Sequence, residues 1–367
     1  MHKNILIAVG ITFLFLGTCI TPSVAIDNVR NASIPISDKT VITVDDEGDG
    51  DYTSIKDALS FANPGDTIEV YSGTYLEQVI RIIKDNITLL GIPHELGGGN
   101  DTGKPIIIGD GTTYVVKLIE SNITVSNFII ENSWTNISYK FACIWVGTEW
   151  PDELEWINIS DLMISNCIIR NSSSGILVAH GGITNNITII NNYISDCYNY
   201  GIYVSLVYNP VFYAHKGSCI ISGNVITDCL KMGIWMNGEL QNVSGNMIKR
   251  CGCGIRLEGD YNIIYGNDIE SCSVGICDAD FLAFENIITK NNFKNYSRSG
   301  YWWGKLFGFI NMILNIFRKK GWIENYWDTW IGIGPKIIPG VLPFNEYYIP
   351  WFIFDRRPAK EPYDIEV

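Results

Sequence analysis

A phrase that returns at short intervals constrains this chain more than any other feature. From Asn166 onward an Asn is followed by an apolar residue two positions later, then a Cys or small residue, then Gly-Ile-x-Val or a near variant. Copies begin at Asn166 (NCIIRNSSSGILV), Asn192 (NYISDCYNYGIYV), Asn224 (NVITDCLKMGIWM), Asn246 (NMIKRCGCGIRL) and Asn267 (NDIESCSVGICD). An interrupted copy runs from Asn127 to Val146, and a last one starts at Asn292 and dissolves. The glycines fall at 175, 201, 233, 254 and 275, giving steps of 26, 32, 21 and 21 residues. Apolar runs of roughly three to five residues are too short for helical hairpin repeats, but fit the strands of a parallel β-helix. Its rungs stack about 4.8 Å apart. A β-propeller is the competing arrangement, yet its blades need about 40 residues and other signatures.

Within each coil, alternation sends the Ile and Val of Gly-Ile-x-Val inward and x outward. The Gly is expected at a bend that a side chain would resist. The Asn markers are expected at left-handed corners, each amide bonding to its neighbours above and below. Cys197, Cys229, Cys251 and Cys272 share one repeat position. Without His partners or CxxC spacing, they read as a buried stack of small soft side chains. Open ends of such a tube need covers. Residues 53–62, with Ile55, Ala58, Leu59 and Ala62 at helical spacing, supply a helix at the front. The expected fold is all-β: a single-stranded right-handed parallel β-helix over 26–300 and a C-terminal capping region over 301–367. An amphipathic helix about 302–317 (WWGKLFGFINMILNIF) either covers the end of the tube or lies on a lipid surface, helped by Arg318, Lys319 and Lys320.

Residues 1–25 read as a signal peptide: Lys3, an apolar run from Ile5 to Leu16, and small residues at Ser23-Val24-Ala25. An uncleaved anchor and a lipoprotein-type start at Cys19 are the alternatives. The expected location is therefore secreted or at the cell surface. Thirty-nine acidic residues against 26 basic ones, a net charge of -13, exclude a general nucleic-acid binder. Such a surface also repels an acidic polysaccharide unless a basic patch or a bound cation intervenes. Among ten Asn-x-Ser/Thr triplets, the glycosylation candidates are Asn86, Asn122, Asn136, Asn158, Asn171, Asn186 and Asn242. An Asn followed by β-branched strand residues also generates such triplets without any sugar.

The segment from Asp51 to Tyr75 (DYTSIKDALSFANPGDTIEVYSGTY), with Asn86 to Gly91 (NITLLG), resembles the opening of pectin-lyase-like right-handed β-helices. The repeats resemble those of the NosD-like, carbohydrate-binding and sugar-hydrolase branch. The tail, with Asn325 to Asp328, Ile349 to Asp355 and Pro358 to Asp364, is similar to that of archaeal secreted members. Together these motifs cover roughly residues 40 to 365. The resemblance implies the fold. For activity it implies several mutually exclusive things: polysaccharide lyase, hydrolase, esterase or epimerase, a non-catalytic surface protein, or a copper-site maturation factor.

The residues weigh these readings unequally. The outward x is Trp145, Leu177, Tyr203, Trp235, Arg256 and Cys277 in successive copies, so Trp145, Tyr203, Trp235 and Arg256 form a candidate ligand-binding column. Flat aromatic faces pack on sugar C–H groups and Arg bonds hydroxyls or carboxylates. The same rings can instead simply cover the sheet. The expected function is thus non-catalytic binding of carbohydrate or an envelope partner. Arg256, Glu258 and Asp260 are the candidate catalytic neighbourhood of the alternative, a lyase or glycoside hydrolase, the latter needing paired carboxylates. The acidic run Asp45 to Asp51 can offer oxygens to calcium, but lacks EF-hand spacing and reads equally as a solvated turn. Copper, the third reading, is disfavoured because His94, His180 and His215 are widely separated and no Met or His cluster accompanies them.

Overall fold

The computed structural model describes residues 40–132, 141–147, 158–178, 184–205, 217–278, 286–296, 298–303, 321–344, 347–365 and 367. The chain divides into Met1–Ile36 and Ser37–Val367, and every described residue belongs to the second unit. The expected signal peptide, and Asn136 among the glycosylation candidates, lie outside the described residues. So does the expected 302–317 helix, except for Trp302 and Trp303, which end the strand Arg298–Trp303 instead of opening a helix.

The second unit is a parallel β-helix, right-handed as parallel crossovers are. One row of eleven strands runs from Val41–Val44 to Trp322–Ile323, every described neighbour pair parallel. A second row begins with Thr74–Leu76 and Ile106–Gly109 and ends at Tyr326–Trp327. The third passes from Ile80–Ile82 and Tyr114–Leu118 through Ala142–Val146, Met232–Asn237 and Cys253–Glu258 to Arg298–Trp303. The strands Ile168–Val178 and Tyr193–Ser205 each run through both of these rows, with a register shift at Ser172 to Ser174. Lys336–Phe344 and Tyr347–Asp355 form an antiparallel hairpin after the last coil.

The alternation places Ile144, Ile176, Ile202, Ile234, Ile255 and Ile276 in one in-register interior column, all fully buried. The glycines beside them serve a different purpose from the expected bend. Gly175, Gly201, Gly233 and Gly254 keep ordinary negative φ, but a Cβ on each would lie 2.5–2.8 Å from the next coil's glycine carbonyl and 2.6–2.7 Å from an Ile methyl. They are there because stacked coils approach too closely for a side chain. Cys197, Cys229, Cys251 and Cys272 stack as expected, each thiol beside the next. The described cysteines form no disulfides, and eight of them are buried.

The amide ladder also differs in detail from the expectation. Its rungs are Asn192, Asn224, Asn246, Asn267, Asn291 and Asn325, all buried and none with positive φ. The left-handed residue precedes each rung: Asn191, Gly223, Gly245, Gly266, Lys290 and Glu324, at φ of 53–63°. Asn166 is itself such a corner, and Cys167 takes the rung position, its N–H donating to Asn192 Oδ1 at 2.9 Å. Likewise the last rungs begin at Asn291, not Asn292. Splitting the tasks in this way leaves the rung amide free to point along the tube. Each rung's backbone N–H and Nδ2 both donate to the next Oδ1 at 2.9–3.0 Å, from Asn192 through Asn325. The series ends on Asp355 Oδ2, which accepts from Asn325 N, Asn325 Nδ2 and Trp327 Nε1. A carboxylate only accepts, so it can finish a chain of donors.

At the front, the helix expected over 53–62 is Ile55–Phe61, with Ile55, Ala58 and Leu59 buried. Ser54 Oγ accepts from Asp57 N, and the buried Glu77 carboxylate accepts from Ile55 N and Lys56 N at 2.5 and 3.1 Å. These acceptors satisfy the N–H groups that a helix start leaves open. Among the described residues, no helix is long and apolar enough to cross a membrane.

Candidate functional site

The third strand row brings the outward residues into register. Arg81 pairs with Lys117, Lys117 with Trp145, Trp145 with Leu177, Leu177 with Tyr203, Tyr203 with Trp235, Trp235 with Arg256, and Arg256 with Cys277. The column is therefore real, but its two halves differ. Trp145 (7% exposed) and Leu177 (3%) belong to a buried cluster with Tyr114 and Ala142, and Trp145 packs on Tyr114 at 5.9 Å between ring centroids. Trp145 thus offers no open ring face. Lys117 is also buried and lies over the Tyr114 ring at 5.4 Å.

Tyr203, Trp235 and Arg256 remain partly open. Tyr203 and Trp235 have ring centroids 4.7 Å apart, and the Arg256 guanidinium lies over the Trp235 ring at 5.0 Å. Tyr200 joins them, 5.2 Å from Trp235 and 5.4 Å from Tyr203. Burial pushes both tyrosine hydroxyls up from the usual phenol range, so each stays a neutral donor and acceptor at ordinary pH. Trp235 Nε1 is buried without a hydrogen-bond partner. Such a donor is costly to leave unmade. The rings meet at 34–66°, so they make a faceted wedge rather than a flat wall.

The candidate catalytic residues are only partly gathered. Arg256 Nε donates to Glu258 Oε1 at 2.7 Å, and its Nη2 pairs with the same oxygen. Asp260 stands beyond the strand, where its carbonyl accepts from Leu240 N. Of the other acids on these coils, Asp268 is held by Lys294 at 2.9 Å and Glu270 by Lys249 at 2.9 Å. Of the glycosylation candidates, Asn86, Asn122, Asn158, Asn171 and Asn186 are exposed, while Asn242 is partly buried. The Asn186 amide donates to Asp161 at 2.5 Å.

Sequence reasoning missed Tyr200, Arg81 and Lys117. Tyr200 precedes its Gly directly, as Met232 and Cys253 do in the paired strands, and only its ring contacts with Tyr203 and Trp235 show that it joins the column. Arg81 and Lys117 lie on coils that lack the Gly-Ile phrase.

Residues 208–330, about a third of the sequence, match the family described as "Periplasmic copper-binding protein (NosD)". This segment is NosD-like. No curated protein matches the sequence. Among solved structures, the enzymatically active domain of bacteriophage CBA120 tailspike protein 2 overlays with a TM-score of 0.49 and 11% identity, over 68% of this chain and 39% of that one. The present chain thus spans about two fifths of that domain. An alginate lyase from Paenibacillus overlays with a TM-score of 0.42 and 13% identity, over 72% and 93% of the two chains. For a carrot pectin methylesterase the TM-score is 0.34 and the identity 12%, over 78% and 77%. Overlays of this depth carry no argument about activity.

The NosD description raises copper, and the described residues do not fit it. Among the described residues no three His or Cys ligand atoms converge, and His180 and His215 lie outside the described residues. Copper binds thiolate or neutral imidazole. The only described clusters of three potential ligands are made of carboxylates alone.

Proposed function

We propose that this protein is an extracytoplasmic, non-catalytic β-helix that binds carbohydrate at the wedge of Tyr200, Tyr203, Trp235 and Arg256. The observation that carries the reading is that wedge itself: two tyrosines and a tryptophan in mutual contact, a guanidinium on the outer ring, and an unpartnered indole N–H. Apolar ring faces and adjacent donors are what a sugar, with its C–H faces and hydroxyls, requires. The periplasmic description of the NosD family and the signal-like residues 1–25 support the location. The exposed amides of Asn86, Asn122 and Asn158 are the sequons best placed to carry glycans, which an intact mass from the native host would reveal.

The lyase or hydrolase reading has the Arg256–Glu258 pair against it. A guanidinium does not give up its proton to become a base, and Glu258 is already engaged as its acceptor. The deciding experiment is a glycan array probed with the full chain and with Trp235→Ala and Arg256→Gln, alongside a polysaccharide turnover screen. Retention lost in both variants, without turnover, supports the proposal. Undiminished retention, or turnover that vanishes with Arg256→Gln, rejects it.

A further inference from the structure

The acidic run at the start of the first coil is a turn, as its composition allows, but it does not stand alone. Asp45, Asp46 and Glu47 meet Glu95 and Asp101, which arrive from the loop 92–105. Ligand oxygens of Asp45, Glu47 and Glu95 all lie within 4.8 Å of one another, and so do those of Asp46, Glu47 and Asp101. Among the described residues, no Lys, Arg or His forms an ion pair with any of these five. Gathering like charges without a counter-charge is unfavourable, most of all where water is excluded.

A second observation points to what would offset that cost. Asp45 is fully buried (0% exposed). Its Oδ2 accepts from Gly48 N and Asp49 N at 3.0 Å, while its Oδ1 is buried with no partner. Asp46 repeats the pattern: Oδ2 accepts from Thr74 N at 2.8 Å and the buried Oδ1 has none. Two carboxylates are thus locked by the backbone through one oxygen, and the other oxygen of each is buried and unmet. The second loop is shaped to close here. Asp49 Oδ2 accepts from Gly98 N at 2.8 Å. A Cβ on Gly97 would lie 2.0 Å from Asp49 Oδ2, and one on Gly99 2.5 Å from the Glu95 carboxyl carbon.

We propose that Asp45, Asp46, Glu47, Glu95 and Asp101 form a calcium site that clamps the loop 92–105 onto the opening coil. The donor set is all oxygen, which suits a hard cation and not copper or zinc. Calcium takes about six to eight oxygens in a flexible shell, and a cluster of carboxylates on two loops can supply it. Magnesium needs a tighter octahedron and releases its water reluctantly.

The test uses the full chain, freed of metal with EDTA and titrated with calcium chloride by calorimetry and thermal unfolding. Saturable binding is expected, with Tm rising by about 3–8 °C at a large excess of calcium. Asp45→Asn combined with Glu95→Gln should weaken binding at least tenfold, while Glu361→Gln, at an exposed site elsewhere, leaves it unchanged. Circular dichroism of the metal-free double variant checks that its β-sheet is retained. No binding by the wild-type chain, calcium affinity unchanged in a folded double variant, or magnesium bound as tightly as calcium would each overturn the proposal.

Discussion

The front and the rear of this tube bury polar groups in opposite ways. In the coils from Asn192 to Trp327 the buried polar residue is a neutral amide that both donates and accepts, so each rung satisfies the next and the pattern can repeat. In the opening coils it is a carboxylate: Asp66 accepts from Thr40 N and Asn63 N, and Glu77 from the helix start. A carboxylate only accepts, so it can close a loop or cap a helix but cannot pass a bond onward. Asp355, at the far end, obeys the same rule by ending the amide ladder. The lesson is that amides extend this fold and carboxylates terminate it.

Alkaline pH should expose the difference most strongly. In the folded state burial holds Cys143, Cys167 and Cys219 above their ordinary range, and the neighbouring thiols hold Cys229, Cys251 and Cys272 up. Once unfolded, a thiol ionises near pH 8.5. The unfolded chain therefore binds fewer protons above that pH, and stability falls as pH rises toward the folded values. By pH 10 each such thiol costs about 2 kcal/mol. Pulsed hydrogen exchange between pH 9 and 10.5 should show the Cys-bearing rear coils losing protection before the front ones, which hold no described Cys before Cys143. Simultaneous loss throughout would argue that the tube unfolds as one unit.

Asn246→Leu comes next. It takes the Oδ1 acceptor away from Asn224 N and Nδ2 and removes the side-chain bond to Asn267 Oδ1, while the backbone N–H of residue 246 still donates there, at a cost of about 2–6 kcal/mol in urea unfolding. Gly233→Ala should cost about 1–3 kcal/mol, because the new methyl lands 2.6 Å from Ile248 and 2.8 Å from the Gly254 carbonyl. A smaller cost, about 1 kcal/mol, is expected for Asp355→Asn, since the amide oxygen still accepts from Asn325 while its NH2 gains no evident partner. Trp235→Ala is read on glycan retention, which it should abolish, because its partly open ring lies on the outer face.

The coil was legible because its residues do local work. Alternation decides inside from outside, and a position that recurs every 21 residues must face its own copies. The Gly positions were found for the wrong reason: a strand backbone pressed against the next coil's carbonyl leaves no mark in the sequence that distinguishes it from a bend. Asn192, Asn224, Asn246 and Asn267, marked in the sequence, are the rungs themselves, one residue after the left-handed corner, whereas Asn166 is a corner and the rung beside Asn292 is Asn291. Asn is common both in left-handed corners and in ladders, and only backbone torsion separates Asn166 from Asn192.

The candidate site was half legible. Repeat spacing was enough to align Trp145, Tyr203, Trp235 and Arg256 in one column. It could not show that Trp145 would be buried, that Tyr200 would join the wedge, or that Arg256 would lie on Trp235. The acidic run announced itself, but its partners Glu95 and Asp101 lie about fifty residues on and became neighbours only when the chain completed a coil.

From the sequence alone, then, come the period, the inward column and the identity of the buried amides and thiols, because these depend on spacing along the chain. Tertiary structure decided which glycines lack room, which ring faces stay open and which carboxylates meet. Those outcomes depend on how closely separate coils and loops approach, and a linear order of residues does not specify that distance.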